Sequence, residues 1–189
     1  MKLHNRQIKS DFWTDSDILK LKRDIRLFYI GLWQIAEDSG CLEDDPFTIK
    51  IILFPSPSDN DITIETINSF IETLVKLGKL VRYEVDGKKY LFIKNFHKHQ
   101  KINPAQRPTI PLPDFISFEP FPSNDRVGKY KIAYKRLTEY LQTTSNIKEN
   151  KIIENNIKEL DLSWDDNQDV RREKIIRMVN YLAEKMSYK

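Results

Sequence analysis

The chain has 189 residues, enough for one well-cored domain with appendages or for two small domains. A single cysteine, Cys41, excludes an intramolecular disulfide and a Cys-based zinc site, and points to a reducing cytoplasm. The net charge of +3 averages over opposite stretches: residues 37–65 carry eight acids and one base, Lys50, whereas residues 87–113 carry six Lys/Arg, two His and no acid. Residues 1–10 are polar and lack the apolar run of a signal peptide. No apolar stretch approaches the roughly 18 residues of a membrane span, so no membrane partner is expected.

In chain order, Arg6-Gln7-Ile8-Lys9 reads as a short edge strand. Thr14, Asp15 and Ser16 offer N-cap oxygens, with Asp17 placed to close a capping box from Thr14. A short turn around Ile18 leads to a long helix reaching about Asp38. Leu21, Ile25, Phe28, Leu32 and Ile35 form its inner face, and Gly31 marks a close helix contact. Ser39-Gly40 ends it. Asp44-Asp45-Pro46 starts a second helix, to about Phe54. Thr63 caps a third, with Ile64, Ile67, Phe70, Ile71 and Leu74 inward, and Gly78 stops it. Residues 80–85 and 88–93 are rich in strand formers, and the Asp86-Gly87 between them is a strong hairpin signal.

After Phe96, Pro104, Pro108, Pro111 and Pro113 favour an extended arm. Residues 129–141 read as a helix, 146–160 as a low-complexity linker or a marginal helix, and 166–186 as an amphipathic helix with Ile175, Val179, Leu182 and Met186 on one side. The expected organisation is therefore α+β, mainly α. A winged helix-turn-helix domain with a basic arm occupies residues 1–113, a partly helical or disordered linker 114–162, and a C-terminal helix 163–189. Residues 1–113 are expected to fold alone, because helices and hairpin are complete by then.

Three helices followed by a two-stranded hairpin make the winged-helix layout, in which the third helix enters the major groove and the wing touches the backbone. On the third helix, Asn68, Ser69, Thr73 and Lys76 face outward as candidate DNA contacts, alongside Glu65 and Glu72, whose charge opposes phosphate. Arg82, Lys88 and Lys89 are candidate wing contacts. The arm offers Lys94, His97, Lys98, His99, Gln100, Lys101 and Arg107, cations spaced to track phosphates and release counterions. A solvated basic strand without a ligand is the plainer reading of the same residues.

His97 and His99 would share a face on an extended strand, but no third ligand of matching kind lies near, so no metal or cofactor is expected. Cys41 reads as a small core residue. Phosphate-loop, nucleophile-elbow and zinc-helix motifs are all absent, and an enzyme is not expected.

The residues also carry a resemblance. Phe12-Trp13-Thr14-Asp15, Arg26-Leu27-Phe28-Tyr29-Ile30-Gly31-Leu32-Trp33, Glu43-Asp44-Asp45-Pro46, Ile49-Lys50, Leu53-Phe54-Pro55, residues 83–90 and residues 95–102 together resemble the N-terminal module of phage and prophage replication proteins. These are the replisome-organiser, DnaD-like winged-helix proteins, and the resemblance spans roughly residues 6–113. It implies duplex DNA binding in the cytoplasm of a bacterial host, often at a phage origin. It also implies recruitment of replication factors such as a helicase or its loader. A homo-oligomer is compatible with the apolar stripe of the last helix. A winged-helix transcriptional regulator and a protein-binding adaptor without DNA contact remain alternative readings.

Overall fold

In the computed structural model, which describes residues 2–145, the chain is mixed α/β, with six helices and two small antiparallel sheets among those residues. Two compact units are distinguished, Met1–Leu137 and Thr138–Lys189. Of the second, residues 138–145 are described. They are helical, and the hydroxyls of Thr143, Thr144 and Ser145 donate to carbonyls four residues back. The expected linker at 146–160 and helix at 166–186 lie outside the described residues.

The helices form where apolar periodicity and caps agree. A 3-10 turn, Ser10–Trp13, leads into α1 (Ser16–Leu19), whose cap is Asp15, one of the three candidates, and not a capping box from Thr14: the Asp15 Oδ1 accepts from the Asp17 and Ile18 amides at 2.9 and 3.0 Å. Helix α2 (Arg23–Ile35) buries Ile25, Phe28, Leu32 and Ile35 as expected. It stops three residues early, because the Arg6 guanidinium takes the carbonyls of Trp33 and Ala36, and residues 37–41 turn back. Helix α3 (Pro46–Leu53) is capped by Asp45, with Pro46 in its first turn. Its Leu53 methyls lie where a Cβ at Gly31 would come within 2.7 Å, which is the close helix contact the sequence implied. Helix α4 (Ile64–Lys76) is capped by the Thr63 hydroxyl and buries Ile67, Phe70, Ile71 and Leu74. Gly78, at φ 67°, then allows Lys79 to donate back to Leu74.

The first sheet has the order β1-β3-β2, from β1 (Cys41–Glu43), β2 (Leu80–Val85) and β3 (Lys88–Ile93). The hairpin is in the expected register, and its turn residues Asp86 and Gly87 both have positive φ, at 51° and 74°, as a type I′ turn requires. Strand β1 was not anticipated; three residues leave too little pattern to read. The front of this sheet, through Leu42, Leu80, Leu91 and Ile93, joins the core cluster with Phe28, Leu32, Ile67, Ile71 and Leu74.

The back of the sheet is also dry. Cys41, Val81, Tyr83, Tyr90 and Phe92 are all buried there. Tyr83 stacks on Tyr90 at 5.3 Å and donates to the Pro111 carbonyl at 2.9 Å, and Phe92 meets Phe115 at 5.5 Å. This cover corrects three expectations. Beyond Phe96 the chain is not an extended arm: it makes a helical turn, α5 (Phe96–His99), and then strand β4 (Ala105–Gln106). Residues from 114 do not begin as a linker, because β5 (Ile116–Phe121) and β6 (Asn124–Ile132) form a hairpin that gives a second sheet, β4-β6-β5. The helix expected over 129–141 starts only at residue 134, since Tyr130 and Ile132 alternate with exposed Lys129 and Lys131 on a strand.

Nor is Arg6-Gln7-Ile8-Lys9 a strand. The Gln100 side-chain amide takes the place of a neighbouring strand, accepting from the Gln7 amide and donating to the Gln7 carbonyl, both at 2.9 Å.

Candidate nucleic-acid interface

The fourteen residues singled out in the sequence fall into three places. The first comprises the outer row of α4 and the tip of the β2–β3 hairpin. Asn68, Ser69 and Lys76 are exposed on α4, while the Thr73 hydroxyl donates to the Ser69 carbonyl at 2.8 Å. Lys88 and Lys89 are exposed beside the turn.

Arg82, on β2, is turned inward. Its Nε donates to Asp44 at 2.7 Å and its Nη1 to Glu72 of α4. Asp44 is almost wholly covered, its side chain 5% exposed, so this pairing is structural. It withdraws Arg82 from phosphate contact. It also gives Glu72, one of the two glutamates on the outer row of α4, a cation that it shares with Asp44, and leaves Glu65 without one from Arg82.

The second place is the base of the hairpin. Lys94 follows β3, its amide donating to the Lys79 carbonyl, and Lys98, His99 and Lys101 follow on and after α5. Strand geometry puts this end about 17 Å from the tip, since five residue steps separate the pairs Leu80–Ile93 and Val85–Lys88. The tip and base lysines are thus two groups about 17 Å apart along the hairpin.

The third group is held elsewhere. His97 and Gln100 point into the body, and Arg107 sits on the second sheet, ion-paired with Asp125 at 3.2 Å. The reason His97 turns inward is Asp38. This buried carboxylate pairs with Arg6 at 2.9 Å, their side chains 8% and 6% exposed, and accepts from the Gln106 amide at 2.9 Å. The Asp38 carbonyl is 3.1 Å from His97 Nε2, which donates to it, while the His97 ring packs against Phe96 and Tyr130. Burial pushes the His97 pKa down, against the raising effect of the Asp38 carbonyl. His97 and His99 sit on a helical turn with different neighbours and do not share the face that an extended strand would give them.

Cys41 is fully buried, and burial raises its thiol pKa to about 12, so it stays protonated and unreactive. Among the described residues no helix is long and apolar enough to cross a membrane.

Sequence reasoning missed Arg6, Asp38, Lys9 and Trp13. The first three owe their places to partners dozens of residues away in the chain, such as the 2.7 Å bond from Lys9 Nζ to the Lys98 carbonyl, and no local pattern announces these. No protein family, no characterised protein and no solved structure matches the chain.

Proposed function

We propose that this chain is a duplex-DNA-binding protein of the winged-helix kind, acting in phage or prophage replication initiation. The single observation that carries the DNA-binding part is the composition of one face. Asn68, Ser69 and Lys76 stand exposed on α4, Lys88 and Lys89 stand exposed at the hairpin tip, and Arg82 bridges Asp44 and Glu72 between helix and strand. Short polar side chains on a helix can read base edges, and lysines on a β-turn can bind flanking phosphates.

The element order supports the reading. A long helix, a short strand, two helices and a hairpin, with sheet order β1-β3-β2, follow one another as in winged-helix DNA readers. The role in replication rests on the residue resemblance over 6–113.

Titration of a labelled duplex across a salt series tests the reading. Affinity should fall steeply with salt, and the variant Lys88→Ala/Lys89→Ala should reduce the log–log slope by about 0.9 for each phosphate no longer neutralised. A duplex affinity in dilute salt that this variant leaves unchanged removes the tip from the reading, and no affinity at all removes the reading.

A further inference from the structure

The base of the β2–β3 hairpin carries a second cationic surface, and it is built differently. Its centre is a cleft of about 270 Å³. Lys9 and Phe12 reach it from the N-terminal segment, Lys94 and Asn95 from the end of β3, and His99 from α5. The bond from Lys9 Nζ to the Lys98 carbonyl fastens the N-terminal segment to α5 and fixes the Lys9 ammonium at this site.

The charge balance favours an anion. Lys79 also lines the cleft, but Asp15 and Asp17 hold it at 3.2 and 3.4 Å, and Lys20 pairs with Asp17 at 3.3 Å, so two acids and two bases cancel at that corner. Asp11 opposes an anion. Lys9, Lys94 and Lys98 outnumber it, and none of the three has a carboxylate partner among the described residues.

Two aromatic rings here are about half exposed. Trp13 is 55% exposed and meets the cleft-lining Phe12 edge-on at 5.1 Å. Tyr134 is 50% exposed, with the Lys98 ammonium 5.6 Å from its ring centroid. Cations interleaved with exposed aromatic faces suit unpaired bases, whose flat surfaces a duplex keeps stacked away.

We propose that this surface binds single-stranded nucleic acid, with phosphates along Lys9, Lys94 and Lys98 and bases stacked on Trp13 and Tyr134. The site is separate from the duplex face of α4 and the hairpin tip and does not depend on it.

The experiment compares a labelled oligothymidylate with a labelled duplex, from dilute salt upward, on the full chain and four variants, Lys88→Ala/Lys89→Ala among them. Trp13→Ala should weaken oligothymidylate binding at least roughly fivefold, the lower end of what one base–aromatic stack supplies. Lys94→Gln/Lys98→Gln should weaken it too and flatten its salt dependence, by about 0.7 in slope per phosphate released. Both should leave duplex binding unchanged. Trp13→Phe, which keeps a stacking face, should restore most of the affinity, and it keeps the test valid if the alanine variant unfolds.

Three outcomes overturn the proposal: no oligothymidylate binding, binding that the base variants leave untouched, or equal losses in Lys88→Ala/Lys89→Ala, which would mean one shared surface. Duplex binding without oligothymidylate binding sinks this site and spares the proposed function. Oligothymidylate binding that needs Trp13, without duplex binding, does the reverse.

Discussion

The two faces of the first sheet are buried to the same degree by different means. The front meets α2 and α4, elements with strong helical periodicity that are close in sequence to the strands they cover. The back meets Pro111, Phe115 and the second sheet, where strands are short, one is only two residues long, and β5 carries a bulge at Pro120/Phe121. In isolation the front alone would pass for a complete domain. The buried Tyr83, Tyr90 and Phe92 show that it is not: a sheet with aromatic residues on its outer face needs a second layer.

The largest expected effect follows directly. A chain ending at Pro113 should lose its cooperative unfolding transition and bind a hydrophobic dye, where the sequence had promised an independent domain. Uncovering a fully buried large apolar side chain costs about 1.5–3 kcal/mol. Tyr83, Tyr90 and Phe92 together thus reach the lower part of a domain's whole stability of about 5–15 kcal/mol. If the shortened chain and one ending at Leu137 melt at the same urea concentration, the back layer is dispensable and the comparison fails.

What was legible in the sequence divides along the same line. The α2 face, the Asp45-Pro46 start, the Thr63 cap, the Gly78 stop and the Asp86-Gly87 turn are local signals, each fixed by neighbours within a few residues. The second sheet was hidden because its prolines read as an arm and Gly128 interrupts the β6 pattern. That glycine is required where it stands, since a Cβ there would collide with the Glu119 carbonyl. In the candidate site, the exposure of Asn68, Ser69, Lys76, Lys88 and Lys89 followed from helix and hairpin phase. The fates of Arg82, His97 and Gln100 did not, because each is decided by a partner distant in sequence: Asp44, Asp38 and Gln7 respectively.

Asp38 is where front and back layers are joined, so it offers a sharper and smaller perturbation than truncation. Asp38→Ala strands the buried Arg6 guanidinium and frees the Gln106 amide of β4. Breaking such a pair by removing one partner costs about 3–5 kcal/mol. Asp125→Ala, which removes the exposed partner of Arg107 on the second sheet, should cost under about 1 kcal/mol. Equal urea midpoints for the two variants would show that Asp38 is an ordinary surface acid and not the junction.

The smallest effect is a proton's. His97 sits at the same junction with its Nδ1 buried and unpartnered, and burial lowers its pKa below the ordinary 6.5. The unfolded chain therefore takes up a proton here at a higher pH than the folded one does. Stability from this group is complete above pH 6.5 and declines as pH falls from there toward the lowered folded value. His4, also lowered mainly by burial, adds a loss of the same sign. Urea midpoints taken downward from neutral pH should thus fall, and His97→Gln should flatten the fall more than His4→Gln, because His97 lies deeper. A His4→Gln chain that loses the whole pH response, with His97→Gln behaving as the parent, would place the sensitive group at the N-terminal segment instead of beneath the second sheet.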